Sequence, residues 1–364
     1  MTDLHPVHQP AVQLAYGQVP ADLHRAYEAA SMYYAQGETM DVIARHLGVS
    51  RSTVSRLLSR ARDEGIVRIE LVQPGGAGSV EERLAQEMGV RAQIVPVREG
   101  TTEIHRLQQV AAVAATRLVE MIDEMSRERS ARATARARAA AAAGAEPLDD
   151  PGAGELVVGT AWGTTMSEVS AALPTRRVPG LTVVQLNGAS DPLRDGPSAG
   201  EVLGRMGQSL GARTIGFPVP AFFDQVTTRE AMWSERSIKR VLSVASRARL
   251  AVFGVGSLTA ELPSQVYAGG HLSDADMRVL EKEGVVGDVC TVMLRADGTW
   301  GGIDVNARAT GPTPAQLARI PRRLCVVAGT GKARATLAAL RAHAATDLVI
   351  DEATARAVLA LAER

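Results

Sequence analysis

Cysteine, aromatic residues and lysine are all scarce in this chain of 364 residues, and each shortage removes a class of explanation. The two cysteines, Cys290 and Cys325, stand far apart and outside any Cys-x-x-Cys spacing, so neither a disulfide framework nor a zinc site is expected. With Phe, Trp and Tyr together at 3%, the core has to be built from Val, Leu, Ile and Ala. Charge of one sign is also lacking. Forty Lys and Arg balance 40 Asp and Glu, which excludes a wholesale basic surface for nucleic acid and leaves only a local patch. The basic charge is almost all arginine, the lysines being Lys239, Lys282 and Lys332. No apolar run approaches transmembrane length, and the first residues lack the basic-then-apolar order of a secretory leader. A cytoplasmic protein with no membrane partner is the expectation.

Residues 1–20 carry Pro, Gln and His without periodicity and read as a disordered tail. A helical pattern begins at Asp22, with Leu23, Tyr27, Ala30 and Tyr34 expected on its buried face. Met40, Ile43, Ala44 and Leu47 mark a second helix, and Gly48 suits a left-handed turn. Ser50 is a good N-cap for a third helix that buries Val54, Leu57, Leu58 and Ala61. IVRIELV (66–72) alternates like a β-wing. The expected domains are a winged helix-turn-helix over 21–73, a linker over 74–78, and an effector domain over 79–364.

Beyond the linker, short Val/Ile/Leu runs alternate with amphipathic helices. Strands are expected at 91–97, 156–161, 182–188, 213–219, 250–256, 289–294, 324–329 and 347–350. Helices are expected near 102–128, 165–173, 198–210, 228–246, 273–283, 332–343 and 352–362. Nearly continuous apolar strands between helices indicate a mostly parallel, doubly wound α/β (Rossmann-like) sheet covered on both faces. A low-complexity insertion near 126–155 is Ala/Arg-rich and then Pro/Gly/Asp-rich. It reads as a solvated insertion whose first half could extend the preceding helix.

In a helix-turn-helix the second helix enters the major groove. With the buried positions of 50–62 removed, Arg51, Ser52, Thr53, Ser55, Arg56, Ser59, Arg60 and Arg62 remain, and none is acidic. Arg can pair with guanine O6 and N7, while Ser and Thr reach phosphates or base edges. The implied partner is double-stranded operator DNA.

Ligands of a doubly wound sheet sit beyond the C-terminal strand ends. The loops there hold Trp162-Gly163-Thr164-Thr165, Asn187-Gly188-Ala189-Ser190, Pro220-Ala221-Phe222, Ser257 and Thr330-Gly331-Lys332. Several lead directly into helices, whose N-terminal amides favour an anion. GTGK lacks the first Gly of a P-loop, where Val326 stands, and Ala333 replaces the Mg²⁺-binding hydroxyl. GVG (254–256) lacks the third Gly of a dinucleotide fingerprint. No cofactor or metal is therefore expected, and Lys332 is left as a point charge for a phosphate. Asp288 and Arg308 lie near expected strand ends, where a cap or salt bridge is as good a role as ligand contact.

In this order and spacing, GETMDVIARHLGVSRSTVSRLLSRARDEGIVRI, GTAWGTT, VVQLNG, FPVPA, VFGVGS, GVVGDVC, DVNAR, AGTGKARATLAAL and DLVIDEATA resemble the SorC-type sugar-binding transcriptional regulators. The resemblance runs from about Ala21 to Leu361, interrupted by the 126–155 insertion. It implies an effector domain similar to sugar-phosphate isomerases, a sugar or sugar-phosphate effector, and a homo-oligomer, dimer or tetramer. Carried over by position, the implied ligand set is Gly163, Thr164, Thr165, Asn187, Gly188, Gly256, Ser257, Asp288, Arg308 and Lys332. Two departures stand out. Ile350 occupies a position usually held by Thr, and the Asn187 loop has no lysine for a covalent imine.

The expected function is a DNA-binding regulator whose operator affinity is set by a sugar, polyol or their phosphates. The alternative is an isomerase or deaminase acting on a sugar phosphate. That chemistry needs a positioned acid–base pair, and no histidine follows a strand in a Gly-rich loop. No catalytic residue is assigned.

Overall fold

The computed structural model describes residues 21–67, 78–142, 155–189, 198–262 and 264–363. The tail at 1–20, positions 68–72 of the wing, 74–77 of the linker, the later part of the insertion at 143–154, and Ser190 lie outside them. The chain divides into two compact units, Met1–Pro74 and Gly75–Arg364.

The first unit holds α1 (Ala21–Ala30), α2 (Met40–Leu47) and α3 (Arg51–Asp63). Its core is Ile43, Val54 and Leu58 with Ala26, Ala29, Ala30 and Ala61. The sequence pattern placed Tyr27 and Tyr34 on the buried face, but they are 59% and 40% exposed. Of that face Ala30 is buried, and Ala26 and Ala29 take the other core positions of α1. A π-helical turn at Ser31–Ala35 then shifts the angular register at the end of this helical segment. Leu57 is half-buried.

The second unit contains α4 (Val80–Met88), β1 (Arg91–Val95), α5 (Glu103–Ala142), β2 (Leu156–Thr160), α6 (Thr164–Ala171), β3 (Leu181–Gln185), α7 (Ala199–Leu210) and β4 (Arg213–Ile215). It continues through α8 (Val226–Ser234), α9 (Arg236–Ala245), β5 (Leu250–Ser257), α10 (Gln265–Ala268), α11 (Asp274–Lys282), β6 (Val285–Val289) and β7 (Val292–Arg295). It ends with α12 (Pro314–Leu317), β8 (Arg322–Val327), α13 (Ala333–Arg341), β9 (Asp347–Asp351) and α14 (Glu352–Ala362).

Seven strands run parallel in the order β1-β9-β8-β5-β2-β3-β4. The chain walks outward from β2 to β4, then returns to the other side of β2 at β5. The strand order thus reverses between β2 and β5, which opens a crevice at their C-terminal ends. Successive strand residues enter opposite cores. Leu156, Val158, Leu250 and Val252 pack with Leu118, Met121 and Ile122 of α5 and with Met206 of α7. Val157, Ala251 and Phe253 pack with Leu337 and Leu340 of α13 and Val358 of α14. Burial on both faces is why these strands read as continuous apolar runs.

Three sequence-based elements come out differently. The strand expected over 289–294 is two antiparallel strands, β6 and β7, with β6 pairing to the end of β5. Cys290 and Thr291 form the turn between them in left-handed conformations (φ 49° and 72°) that sequence rules reserve for Gly and Asn. Asp288 makes that turn tenable by accepting the Thr291 N–H at 3.0 Å. The helix expected over 228–246 is two, because Glu235 is extended (ψ 138°). Finally, α5 runs on to Ala142, so Ser126–Ala142 of the insertion is helical. Its Ala/Arg residues face solvent almost throughout.

Only the first half of α5 contributes to the core. Leu118→Ala, fully buried there, is expected to destabilise the second unit by roughly 2–5 kcal/mol. Ala135→Gln on the exposed half should change stability by less than about 0.5 kcal/mol. Urea unfolding of the two variants checks the contrast.

Candidate functional site

In the first unit, Gly48 (φ 65°) turns the chain between α2 and α3. The Ser50 side chain caps α3 by accepting the Thr53 N–H at 3.2 Å. Val54, Leu58 and Ala61 point into the core. Arg51, Ser52, Ser55, Arg56 and Arg60 are exposed, while Thr53 and Ser59 are half-buried. At 100° per residue, Ser52, Arg56 and Ser59 stand opposite the buried stripe and Ser55 stands on its flank. Arg56 Nη2 donates to Thr53 Oγ1 at 3.3 Å, and Arg60 lies 3.6 Å from Asp22. Arg51 lies 3.8 Å from Asp41, with both side chains largely exposed. Exposed pairs this long hold their arginines weakly.

In the second unit a cavity opens at the β2/β5 reversal and measures about 590 Å³, its solvent-open mouth included. Seven of the ten sequence-derived ligand positions line it: Gly163, Thr164, Thr165, Asn187, Gly256, Asp288 and Lys332. Gly163 (φ 122°) precedes α6 and offers no side-chain cap to its first turn. That first turn therefore has unsatisfied amides to give to a ligand. Lys332, buried at the start of α13, brings Nζ to 3.4 Å from Thr165 Oγ1.

The floor is β5. A Cβ on Gly254 would stand 3.1 Å from Thr165 Cβ, and one on Gly256 would overlap Asp288 Oδ1. Asp288 is buried, and its Oδ1 has no hydrogen-bond partner. Asn187 Oδ1 is buried without a partner as well. Burial pushes the Asp288 carboxyl up to about 6, against the pull of the Thr291 N–H, the Tyr267 hydroxyl and the Lys332 charge. Burial lowers Lys332 from its usual value, partly offset by Cys325, Glu103 and Asp288.

Three of the ten do not line the cavity. Gly188 packs its backbone: its N–H donates to Thr310 Oγ1 at 2.9 Å, and its carbonyl accepts from Trp162 Nε1. The Ser257 hydroxyl donates to the Gly331 carbonyl at 3.0 Å and staples β5 to the GTGK turn. Arg308 donates to the Phe223 carbonyl and pairs with Asp276, its alternative role as a local salt bridge. Asp288 itself sits in a strand rather than a loop.

The cavity also recruits Leu107 of α5, Trp162, Ser264, Gln265 and Thr291. Trp162 lies within the GTAWGTT motif and Thr291 next to GVVGDVC, whereas Leu107, Ser264 and Gln265 carry no local signal. Among the described residues, no histidine lines the cavity, no group of acids, His and Cys is placed to hold a metal, and no helix is long and apolar enough to cross a membrane.

Two family models match the chain. A helix-turn-helix domain covers residues 28–75. The Sugar-bind model, a sugar-binding domain, covers residues 127–360, well over half the chain. The chain belongs to the Sugar-bind family. The deoxyribonucleoside regulator of Bacillus subtilis (strain 168) is 26% identical over 332 residues, spanning 91% of this chain and 96% of the relative. The sorbitol operon regulator of Klebsiella pneumoniae is 23% identical over 343 residues, spanning 93% and 98%. The full-length crystal structure of the Klebsiella regulator SorC shares the fold at TM-score 0.66 over 93% of this chain and 99% of that one, at 23% identity. A domain of a possible sugar-binding transcriptional regulator from Arthrobacter aurescens TC1 is 36% identical at TM-score 0.64, covering 79% of this chain and all (100%) of that domain. Like these Sugar-bind relatives, the chain is a helix-turn-helix transcriptional regulator with a sugar-binding effector domain, not an enzyme.

The glycine floor and the buried acid each have a measurable consequence. Gly256→Ala should displace Asp288 and abolish ligand-induced stabilisation while the helical signal persists, as read by thermal melts and circular dichroism. Asp288 titrates higher folded than unfolded, so its stabilising contribution is complete below its unfolded value of about 3.9 and is lost as pH rises through about 6. Asp288→Asn should therefore gain stability relative to the parent as pH rises between about 4 and 6. A constant difference across that range would contradict the assignment.

Proposed function

We propose that the cavity at the β2/β5 reversal binds a phosphorylated sugar or polyol and that its occupancy sets the affinity of α3 for operator DNA. One observation carries this reading. Two buried acceptors without partners, Asn187 Oδ1 and Asp288 Oδ1, line the same cavity as a buried ammonium beside an uncapped helix start. The acceptors suit sugar hydroxyls, which donate. Lys332 and the Gly163–Thr165 turn suit a phosphate. The names of relatives fit a small polyhydroxylated effector, since they include regulators of deoxyribonucleosides, sorbitol and erythritol.

In the first unit, Arg51, Ser52, Thr53, Ser55, Arg56, Ser59 and Arg60 present the operator-facing surface, with Arg56 near its middle. A neutral chain needs only this short basic face to gain counterion-release affinity. Control works by linkage: an effector shifts operator binding by as much as it prefers one protein state over another. A homo-oligomer supplies two recognition helices whose spacing must match the half-sites.

Arg56→Ala should weaken operator binding by about 1–3 kcal/mol and leave effector binding intact, as measured by fluorescence anisotropy on an operator fragment. Thr165→Val should lower affinity for a phosphorylated effector by roughly ten- to a hundredfold, the worth of a hydrogen bond to a charged group. Its operator affinity without effector should be unchanged. A titration of sugar and polyol phosphates against both variants tests the division of labour. If none of them alters operator affinity of the parent protein, effector control is refuted.

A further inference from the structure

We propose that Arg106 and Asp351 are positioning residues of the effector cavity: together they hold the Gly329–Lys332 turn so that the Lys332 ammonium faces the ligand. The inference rests on the reading of Lys332 as the cation of the site. Neither residue lines the cavity, but Leu107, next to Arg106 on the first turns of α5, does.

A buried hub stands at the end of β9. Asp351 is fully buried, and its carboxylate accepts four hydrogen bonds. Two come from Thr354, its N–H at 3.1 Å and its hydroxyl at 2.6 Å, and are the ordinary cap of α14. The other two have nothing to do with capping: the Gly329 N–H at 3.0 Å and Arg106 Nη1 at 2.9 Å. Arg106 also lies 3.3 Å from Glu103. The Glu103 carboxylate occupies the space that a Cβ at residue 329 would need, and Gly329 has a left-handed φ of 100°. Gly329 is thus enclosed by Asp351 on one side and Glu103 on the other, with Arg106 bridging both acids.

Lys332 hangs directly from this glycine, its N–H donating to the Gly329 carbonyl at 3.0 Å. The far side of the turn is fastened by the Ser257 and Thr259 hydroxyls on the Gly331 carbonyl, at 3.0 and 2.9 Å. One side is held by neutral hydroxyls and the other by an acid–arginine–acid cluster. Buried ion pairs contribute little net stability compared with apolar packing. What this cluster does supply is direction: a charged bond tolerates little displacement, and the ammonium it places reaches the Thr165 hydroxyl at 3.4 Å, on the wall of the cavity. Glu103 also counts among the groups that sustain the Lys332 charge against burial.

Because the chain has only three lysines, the placement of Lys332 can be read directly. The full-length protein is reductively methylated with ¹³C, which yields three dimethyl-lysine signals beside that of the α-amine, and the signal lost in Lys332→Arg is that of Lys332. Inorganic phosphate serves as the anion probe. Phosphate should move the Lys332 signal of the parent and raise its melting temperature. Arg106→Met should move that signal before any phosphate is added and weaken the phosphate response at least tenfold, with operator affinity retained. Arg106→Lys, whose added lysine signal is identified by combining it with Lys332→Arg, should recover part of the response, and Asp351→Asn should repeat the Arg106→Met pattern. Variants that melt earlier yet keep the parental Lys332 signal and phosphate response would reduce the cluster to a merely structural role and overturn the proposal. If Arg106→Met does not fold, the same criterion applies to Arg106→Lys, whose ammonium lacks the planar fork of a guanidinium. Should the variants shift the Lys332 signal while phosphate leaves the parent unchanged, positioning stands and the anion reading of Lys332 fails.

Discussion

The cavity at the β2/β5 reversal depends on two missing side chains. Gly254 and Gly256 lie two residues apart on one face of β5, about 7 Å along the strand. Asp288 from β6 takes the volume a Cβ on Gly256 would fill, and Thr165 from α6 packs close against Gly254. A hydroxyl beside a buried ammonium and an unpartnered carboxylate oxygen thereby come to face the same space. A side chain at residue 256 would displace Asp288, and one at residue 254 would press on Thr165. The reversal of strand order between β2 and β5 supplies the crevice, and the glycines let polar side chains from two other elements lie across its floor.

Around that floor the charges are arranged in opposition. Lys332 and Asp288 are both buried, and each is shifted toward its neutral form by burial while the other's charge pulls it back. Such groups are poor contributors to stability and good contributors to recognition, because a ligand that brings hydroxyl donors and an anion satisfies both. The strained Cys290–Thr291 turn is tied to the same acid. Asp288 Oδ2 restrains it, which leaves Oδ1 for the cavity. Backbone held in a sparsely populated region beside a binding space is where function and strain are expected to coincide.

Much of this was legible in the residues. The helix-turn-helix stands out because Gly48, Ser50 and the apolar stripe of α3 obey local rules of capping and periodicity. The five central parallel strands stand out because burial on both faces leaves nearly uninterrupted apolar runs, whereas the edge strands β1 and β4 are largely exposed. What escaped was set by contacts distant in sequence. Tyr27 and Tyr34 look like core residues by periodicity, yet alanines allow α1 its close approach to α3. Cys290 and Thr291 carry no turn signature, since Asp288 and Gly311 hold them in place. Arg308 looks like a ligand residue until Asp276, 32 positions away, pairs with it. Ser264 and Gln265 join the cavity only through the path of a loop.

The sequence by itself determined the family, the two-part organisation, the exposed face of α3 and the small-residue loops at the strand ends. Local patterns suffice for these because capping, helical period and strand hydrophobicity act over a few residues. Only the tertiary structure decided which loop residues share one cavity, which of their polar atoms lack partners, and that Asp351, paired with Arg106, bonds the turn bearing Lys332. Those facts depend on side chains up to 245 positions apart meeting in a low-dielectric interior, where a single hydrogen bond or its absence decides whether a group is structural or left for a ligand.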